Sequence, residues 1–112
     1  MNTDKAKELL KFIHDKTESV FPCKIQDIFL YGSYARGDYD KESDVDYLLT
    51  VDLDYLDIEK YRKQISEISS DLSLENDVLV SIHIHPSKQF KQYSHVLPFY
   101  KNILKEGIRY DS

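Results

Sequence analysis

The run from Ser43 to Val51 (Ser-Asp-Val-Asp-Tyr-Leu-Leu-Thr-Val) constrains the fold more than any other stretch of this chain. A two-residue period puts Asp44, Asp46, Leu48 and Thr50 on one face and Val45, Tyr47, Leu49 and Val51 on the other. Both faces turn apolar toward the C-terminal end. A strand from Asp44 to Val51 with that pattern reads as the central strand of a sheet.

Its neighbours follow from the same logic. Ile25 to Tyr31 is β-branched and aromatic and reads as a strand that stops at Gly32-Ser33. Asp77 to His85 is expected to be a third strand, ended by Pro86, with Val78, Val80, Ile82 and Ile84 buried and Asp77, Leu79, Ser81, His83 and His85 opposite. Ala6, Leu9, Leu10 and Ile13 recur at helical spacing behind Thr3, a candidate N-cap. Ile58, Tyr61, Ile65, Ile68 and Leu72 predict a second amphipathic helix. A last helix is expected from Pro98 to Gly107, and a short helical turn near Ser33–Gly37. The order α-β-(turn)-β-α-β-α predicts an α/β (α+β) fold: a small mixed β-sheet with helices on one face and the other open for an active site. With 112 residues, the expectation is one domain over 1–112.

Several function classes are disfavoured. A formal net charge of −5 argues against tight direct binding of nucleic acid, which needs a basic face. No apolar run is long enough to span a bilayer, and the start Met1-Asn2-Thr3-Asp4-Lys5 lacks a signal-peptide pattern. Cys23 is the single cysteine, so no internal disulfide forms. A cytoplasmic location is expected.

The chemistry is concentrated between Gly32 and Asp46. Gly32 ends a strand and has no Cβ to keep a phosphate away. Ser33 adds a hydroxyl where a helix start presents free N–H groups to an anion. Arg36, three residues on, is placed to contact phosphate, and Gly37 turns the chain away. Asp44 and Asp46 alternate in a strand and project from one face, a repulsive pair unless a cation lies between them. Hard oxygen ligands on a rigid strand suit Mg²⁺, and a phosphate cradle beside them suits nucleotidyl transfer.

Gly32-Ser33, ten residues, then Asp44-Val45-Asp46 resembles the signature of the DNA polymerase β-like nucleotidyltransferase superfamily. Ala35-Arg36-Gly37 and Ser43-Asp44 resemble its minimal (MNT) branch, and the likeness covers nearly the whole chain. The resemblance implies that Gly32 and Ser33 hold the triphosphate of ATP while Asp44 and Asp46 bind Mg²⁺. It implies attack of a hydroxyl on the α-phosphorus, with pyrophosphate leaving. It also implies a partner: MNT antitoxins neutralise an all-helical HEPN ribonuclease toxin by transferring AMP to a toxin tyrosine. Two alternatives stay open, a catalytically silent antitoxin that acts by binding its HEPN partner, and a subunit that modifies a small molecule or an RNA end.

The superfamily usually supplies a third carboxylate from the next core strand. Asp77 is the only acid in the segment Asp77–His85 and is the candidate; another alignment puts Ser81 there and leaves no base. Both have the same parity, so periodicity does not choose between them. A missing base matters less for a tyrosine acceptor, whose pKa of ~10 lies far below that of a ribose hydroxyl. His83 and His85 share the Asp77 face but lack a third ligand for Zn²⁺, and read as a solvated strand end or a substrate rim. Tyr31, Tyr47 and Tyr61 fit core positions, while Tyr34 and Tyr39 lie in the motif loop and read either as core or amphipathic surface or as rings that stack on adenine.

Overall fold

A computed structural model describes residues 1–111. The first helix, α1 (Thr3–Glu18), buries Ala6, Leu9, Leu10 and Ile13, the face read from the spacing. Its N-cap is Asn2, whose side chain accepts from the Lys5 N–H at 2.8 Å, rather than Thr3. Thr3 is the first helical residue and donates its hydroxyl to the Tyr34 carbonyl at 2.7 Å, which ties the helix start to the Gly32–Gly37 segment.

Strand β1 (Ile25–Tyr31) leads into a single helical turn, α2 (Ser33–Arg36), and β2 (Val45–Val51) follows. The predicted helix over Ile58–Leu72 is two helices, α3 (Tyr55–Glu59) and α4 (Arg62–Asn76). The break at Lys60-Tyr61 lets both Ile58 and Tyr61 reach the cluster of Phe21, Val51 and Ile65, with the Tyr61 ring edge-on to Phe21 at 5.1 Å. Strand β3 (Val80–Pro86) begins three residues later than expected. Helix α4 runs on to Asn76, and Asp77, in the left-handed region at φ 50° and ψ 44°, ends it. Two elements were not anticipated: α5 (Ser87–Tyr93), directly after Pro86, and the two-residue β4 (Ile108–Arg109) behind α6 (Pro98–Glu106).

The strands form one mixed sheet in the order β3-β2-β1-β4. β1 is antiparallel to both β2 and β4, and β2 is parallel to β3. β2 is thus internal, as its two apolar faces require. Val45, Tyr47 and Leu49 face α1 and α4 and pack with Leu10, Ile13, Leu30 and Leu72. Tyr47 is fully buried, and its hydroxyl donates to the Ala6 carbonyl at 2.7 Å.

The opposite face is only partly open. Phe29 and Leu48 are covered by Phe90 of α5 and by Tyr100 and Ile103 of α6. This departs from the expectation of helices on one side, and its cause is the unpredicted α5 with α6 folding back over β1 and β2. What stays accessible is the end of that face beside α2 and the edge of β3. Strand register orders the face in rows: Tyr31, Asp46 and Ser81, then Phe29, Leu48 and His83, then Asp27, Thr50 and His85.

Candidate active site

Gly32 holds the site together. It leaves β1 at φ 77° and ψ −156°, a conformation that is essentially glycine's alone. A Cβ built there would lie 2.9 Å from Asp46 Oδ2, closer than an ordinary contact. The strand end that precedes Ser33 and the carboxylate of β2 therefore touch because residue 32 has no side chain. α2 then closes on Gly32: the Ala35 and Arg36 N–H groups both donate to its carbonyl at 3.1 Å. Gly37 ends the turn in the left-handed region at φ 87°, with its N–H donating to the Ser33 carbonyl at 2.8 Å.

The two acidic residues differ in surroundings. Asp44 is exposed and immediately precedes β2, whose first N–H, that of Val45, donates to the Leu79 carbonyl at 2.9 Å. Asp46 is half-buried. Burial pushes its carboxyl above the ordinary carboxylate range, the field of His83 opposes this, and the nearby Asp44 adds to it. A half-buried carboxylate raised by its own burial gains from a cation. Two hard oxygen donors, one exposed and one facing the Gly32 backbone, fit an ion that takes its other ligands from phosphate and water.

Asp77 does not join them. It is exposed, caps α4, and lies outside the strand in which it was expected. Among the described residues no group of three or more His, Cys, Asp or Glu side chains is gathered to hold a metal. The residue of β3 paired with Asp46 is Ser81. The acid at 77 is displaced because α4 is one turn longer than its apolar spacing implies.

Arg36 and the two loop tyrosines have partners within the fold. The Arg36 Nε donates to Asp38 Oδ2 at 3.1 Å and an Nη to Glu106 Oε2 at 3.4 Å, so the guanidinium joins α2 to the end of α6. Tyr34 is buried in the core and stacks on Tyr39, with ring centroids 4.2 Å apart and planes 6° from parallel. The faces proposed for adenine are turned toward each other. The rest of the connection is held by Asp40, which accepts from the Glu42 N–H at 2.9 Å and the Ser43 hydroxyl at 3.2 Å.

Gly32 thus brings a strand end, a one-turn helix and the carboxylate of Asp46 together, with a second carboxylate two residues away. The nucleotidyltransferase domain model matches residues 5–110. The chain belongs to the nucleotidyltransferase domain family. A candidate protein adenylyltransferase of Methanocaldococcus jannaschii is 31% identical over 107 residues, covering 96% of both chains. A second from the same organism is 39% identical over 74 residues, 66% of this chain and 73% of that one. The nucleotidyltransferase fold is shared with a solved toxin–antitoxin bound to AMP-PNP, at TM-score 0.54 and 21% identity over 97% of this chain and 72% of that one. A mutant of the MntA-HpeT toxin–antitoxin superposes similarly, at TM-score 0.55 and 20% identity, again over 97% and 72%. No helix among the described residues of this nucleotidyltransferase is long and apolar enough to cross a membrane.

The sequence assigns Tyr31 to the core and His83 and His85 to a strand end or substrate rim, and does not show that they meet Phe99 beside the carboxylates. Tyr31 neighbours Asp46 in register, and its phenol is pushed up by burial first and by the Asp46 charge second. Its ring meets Phe99 edge-on at 5.5 Å and lies 6.3 Å from His83. His85 Nδ1 is 2.6 Å from the Tyr100 hydroxyl, to which Gln89 also donates at 2.7 Å. Burial, then the neighbouring His83, lowers the His85 pKa below the ordinary imidazole value. The one available signal was Pro98-Phe99-Tyr100 opening a helix, with Phe99 and Tyr100 next to each other and so on different sides of it.

Proposed function

We propose that this nucleotidyltransferase moves AMP from Mg²⁺-ATP to a tyrosine hydroxyl of a helical HEPN-type toxin, in the cytoplasm, and acts as its antitoxin. The observation that carries the reading is the contact between Gly32 and Asp46, which brings the phosphate-binding turn and the metal-binding pair to one place. Gly32 and Ser33 hold the β- and γ-phosphates, and Asp44 and Asp46 hold Mg²⁺. Mg²⁺ held there would supply positive charge to offset that of the departing pyrophosphate. The tyrosine oxygen forms a bond to the α-phosphorus, the bond to the bridging oxygen breaks, and the phenolic proton passes to solvent.

Ser81, where the superfamily's third carboxylate would suit, favours a phenol over an alcohol. An acceptor with a pKa of ~10 needs less help to lose its proton than a ribose hydroxyl. The curated relatives, named as candidate protein adenylyltransferases, support a protein acceptor. Arg36 is assigned to the outer phosphates, and its engagement with Asp38 and Glu106 makes it an adjustable member of the site.

Co-expression with a HEPN-type helical protein, such as one encoded in a neighbouring reading frame if present, followed by intact-mass and peptide mass spectrometry, tests the reading. AMP on a partner tyrosine, lost in Asp44→Asn and Asp46→Asn, is the expected result. Neutralisation that persists in both variants without added mass would replace transfer with occlusion.

A further inference from the structure

On the accessible face, the ordered rows place Tyr31 beside Asp46, His83 one row further from α2, and His85 one row further still. Phe99 of α6 lies across them, 5.5 Å from the Tyr31 ring and 5.9 Å from the His85 ring. Tyr55 extends the series, 6.1 Å from His85. Phe99 is 41% exposed, Tyr55 is 47% exposed and His83 is open to solvent, while Tyr31 and His85 are half-buried, Tyr31 against the Phe29–Leu48 cluster. An open groove of about 540 Å³ runs between α3, α4 and the edge of β3; Tyr55, Ser81, His83 and His85 form part of its wall, whereas Tyr31 and Phe99 lie outside it. Gly32, Ser33, Asp44 and Asp46 lie outside that wall.

We propose that Tyr31, His83, Phe99 and His85 form the acceptor subsite, a shelf that receives a planar aromatic side chain with its hydroxyl toward Asp46. The proposal rests on the AMP-transfer reading above and gives its acceptor a place. The triphosphate end of the site is at Gly32-Ser33, so pyrophosphate leaves toward α2. In-line displacement brings the nucleophile from the opposite side of the α-phosphorus. The shelf starts at Asp46 and runs away from α2, the side from which the acceptor must come. Its chemistry agrees: exposed rings favour a partner ring by offset or edge-on stacking. His85 is fixed by Tyr100, so the shelf is rigid at its far end. An aromatic acceptor laid on it is oriented with little loss of freedom, which a flexible alkyl alcohol could not match.

The experiment is titration of the full chain, loaded with Mg²⁺–AMP-PNP, with N-acetyltyrosinamide, followed through the imidazole resonances of His83 and His85. His14 on α1 is the internal reference. The expected result is a saturable shift of His83 and His85 with no shift of His14, and none with N-acetylserinamide. Phe99→Ala should raise the Kd for N-acetyltyrosinamide roughly tenfold while leaving that for Mg²⁺–AMP-PNP within about twofold. Phe99→Leu keeps apolar bulk without the ring and should give the same split if Phe99→Ala fails to fold. A loss of nucleotide affinity as large as that for the acceptor probe would overturn the proposal and make the shelf an adenine site. Probe binding indifferent to both variants, with AMP transfer intact, would remove the shelf and leave the transfer reading. Probe binding as expected, with no AMP transfer to any partner, would uphold the shelf and remove that reading.

Discussion

Replacing Gly32 by alanine should separate stability from site geometry. The backbone at φ 77° and ψ −156° is nearly closed to a residue with a Cβ, and forcing alanine into it costs about 1–3 kcal/mol. For a chain of this length that corresponds to a fall in Tm of about 4–12 °C. The second effect is local. The new methyl would sit 2.9 Å from Asp46 Oδ2. To restore van der Waals contact the carboxylate must withdraw by about half an ångström. Asp46 is a short side chain on an open end of the face, so it can move, and the clash is relieved at the expense of metal geometry. A displaced ligand of this kind weakens Mg²⁺–nucleotide binding by about 10–100-fold. Gly37→Ala is the control. Its φ of 87° imposes a strain of about 1–2 kcal/mol, yet nothing lies within 4 Å of the added Cβ. Thermal unfolding by circular dichroism and calorimetric titration with Mg²⁺–AMP-PNP measure the two effects. Gly37→Ala should lose Tm and keep affinity, and Gly32→Ala should lose both. The reasoning is refuted if Gly32→Ala binds Mg²⁺–AMP-PNP within about threefold of the parent, or if Gly37→Ala loses affinity as severely.

Other perturbations probe the carboxylates. Because the folded protein raises the Asp46 pKa, it binds more protons than the unfolded chain between the two values, and stability falls as pH rises through that window. Asp46→Asn should therefore raise the metal-free Tm at pH 7, with the gain vanishing below the ordinary carboxylate pKa; an unchanged or lower Tm at pH 7 contradicts this. Asp77→Asn should leave Mg²⁺–nucleotide affinity within about twofold by calorimetry, since asparagine also tolerates the left-handed cap. Ser81→Asp puts a third acid beside Asp46 and should tighten Mg²⁺–nucleotide binding roughly tenfold while lowering the metal-free Tm. Tyr47→Phe removes the hydrogen bond to the Ala6 carbonyl and should cost about 1–2 kcal/mol in denaturant unfolding with affinity unchanged.

The local geometry from Gly32 to Asp46 was legible in the sequence because these residues are close along the chain and carry local rules. Gly32 marks a backbone that only glycine adopts, and the alternation of Asp44, Val45 and Asp46 assigns faces without knowledge of the rest. The central position of β2 was visible for the same reason, since its two apolar faces are a local pattern with one tertiary meaning. The misplacement of Asp77 came from a helix end with no proline or glycine to mark it: the left-handed residue is an aspartate, and Ser73 turns back to accept the Val80 N–H at 2.9 Å. Helix α5 follows a proline that ends a strand, a punctuation equally compatible with a loop. The shelf was hidden because Tyr31, His83, His85 and Phe99 come from three elements and meet only through register and the return of α6. The ion pairs of Arg36 span two residues in one case and 70 in the other, and no local pattern announces the second.

The stacked rings of Tyr34 and Tyr39, with the turn held by Asp40, fix the whole connection between the glycine turn and the acidic strand before any ligand arrives. No segment of that connection has to fold over an incoming nucleotide, so the pace of capture is set by collision and charge. The chain carries a net charge of −5 and Mg²⁺-ATP is itself anionic. Their long-range repulsion is damped as ionic strength shortens the screening distance. Added salt should thus speed the arrival of nucleotide, the reverse of what an electrostatically steered enzyme does, and change its departure rate far less.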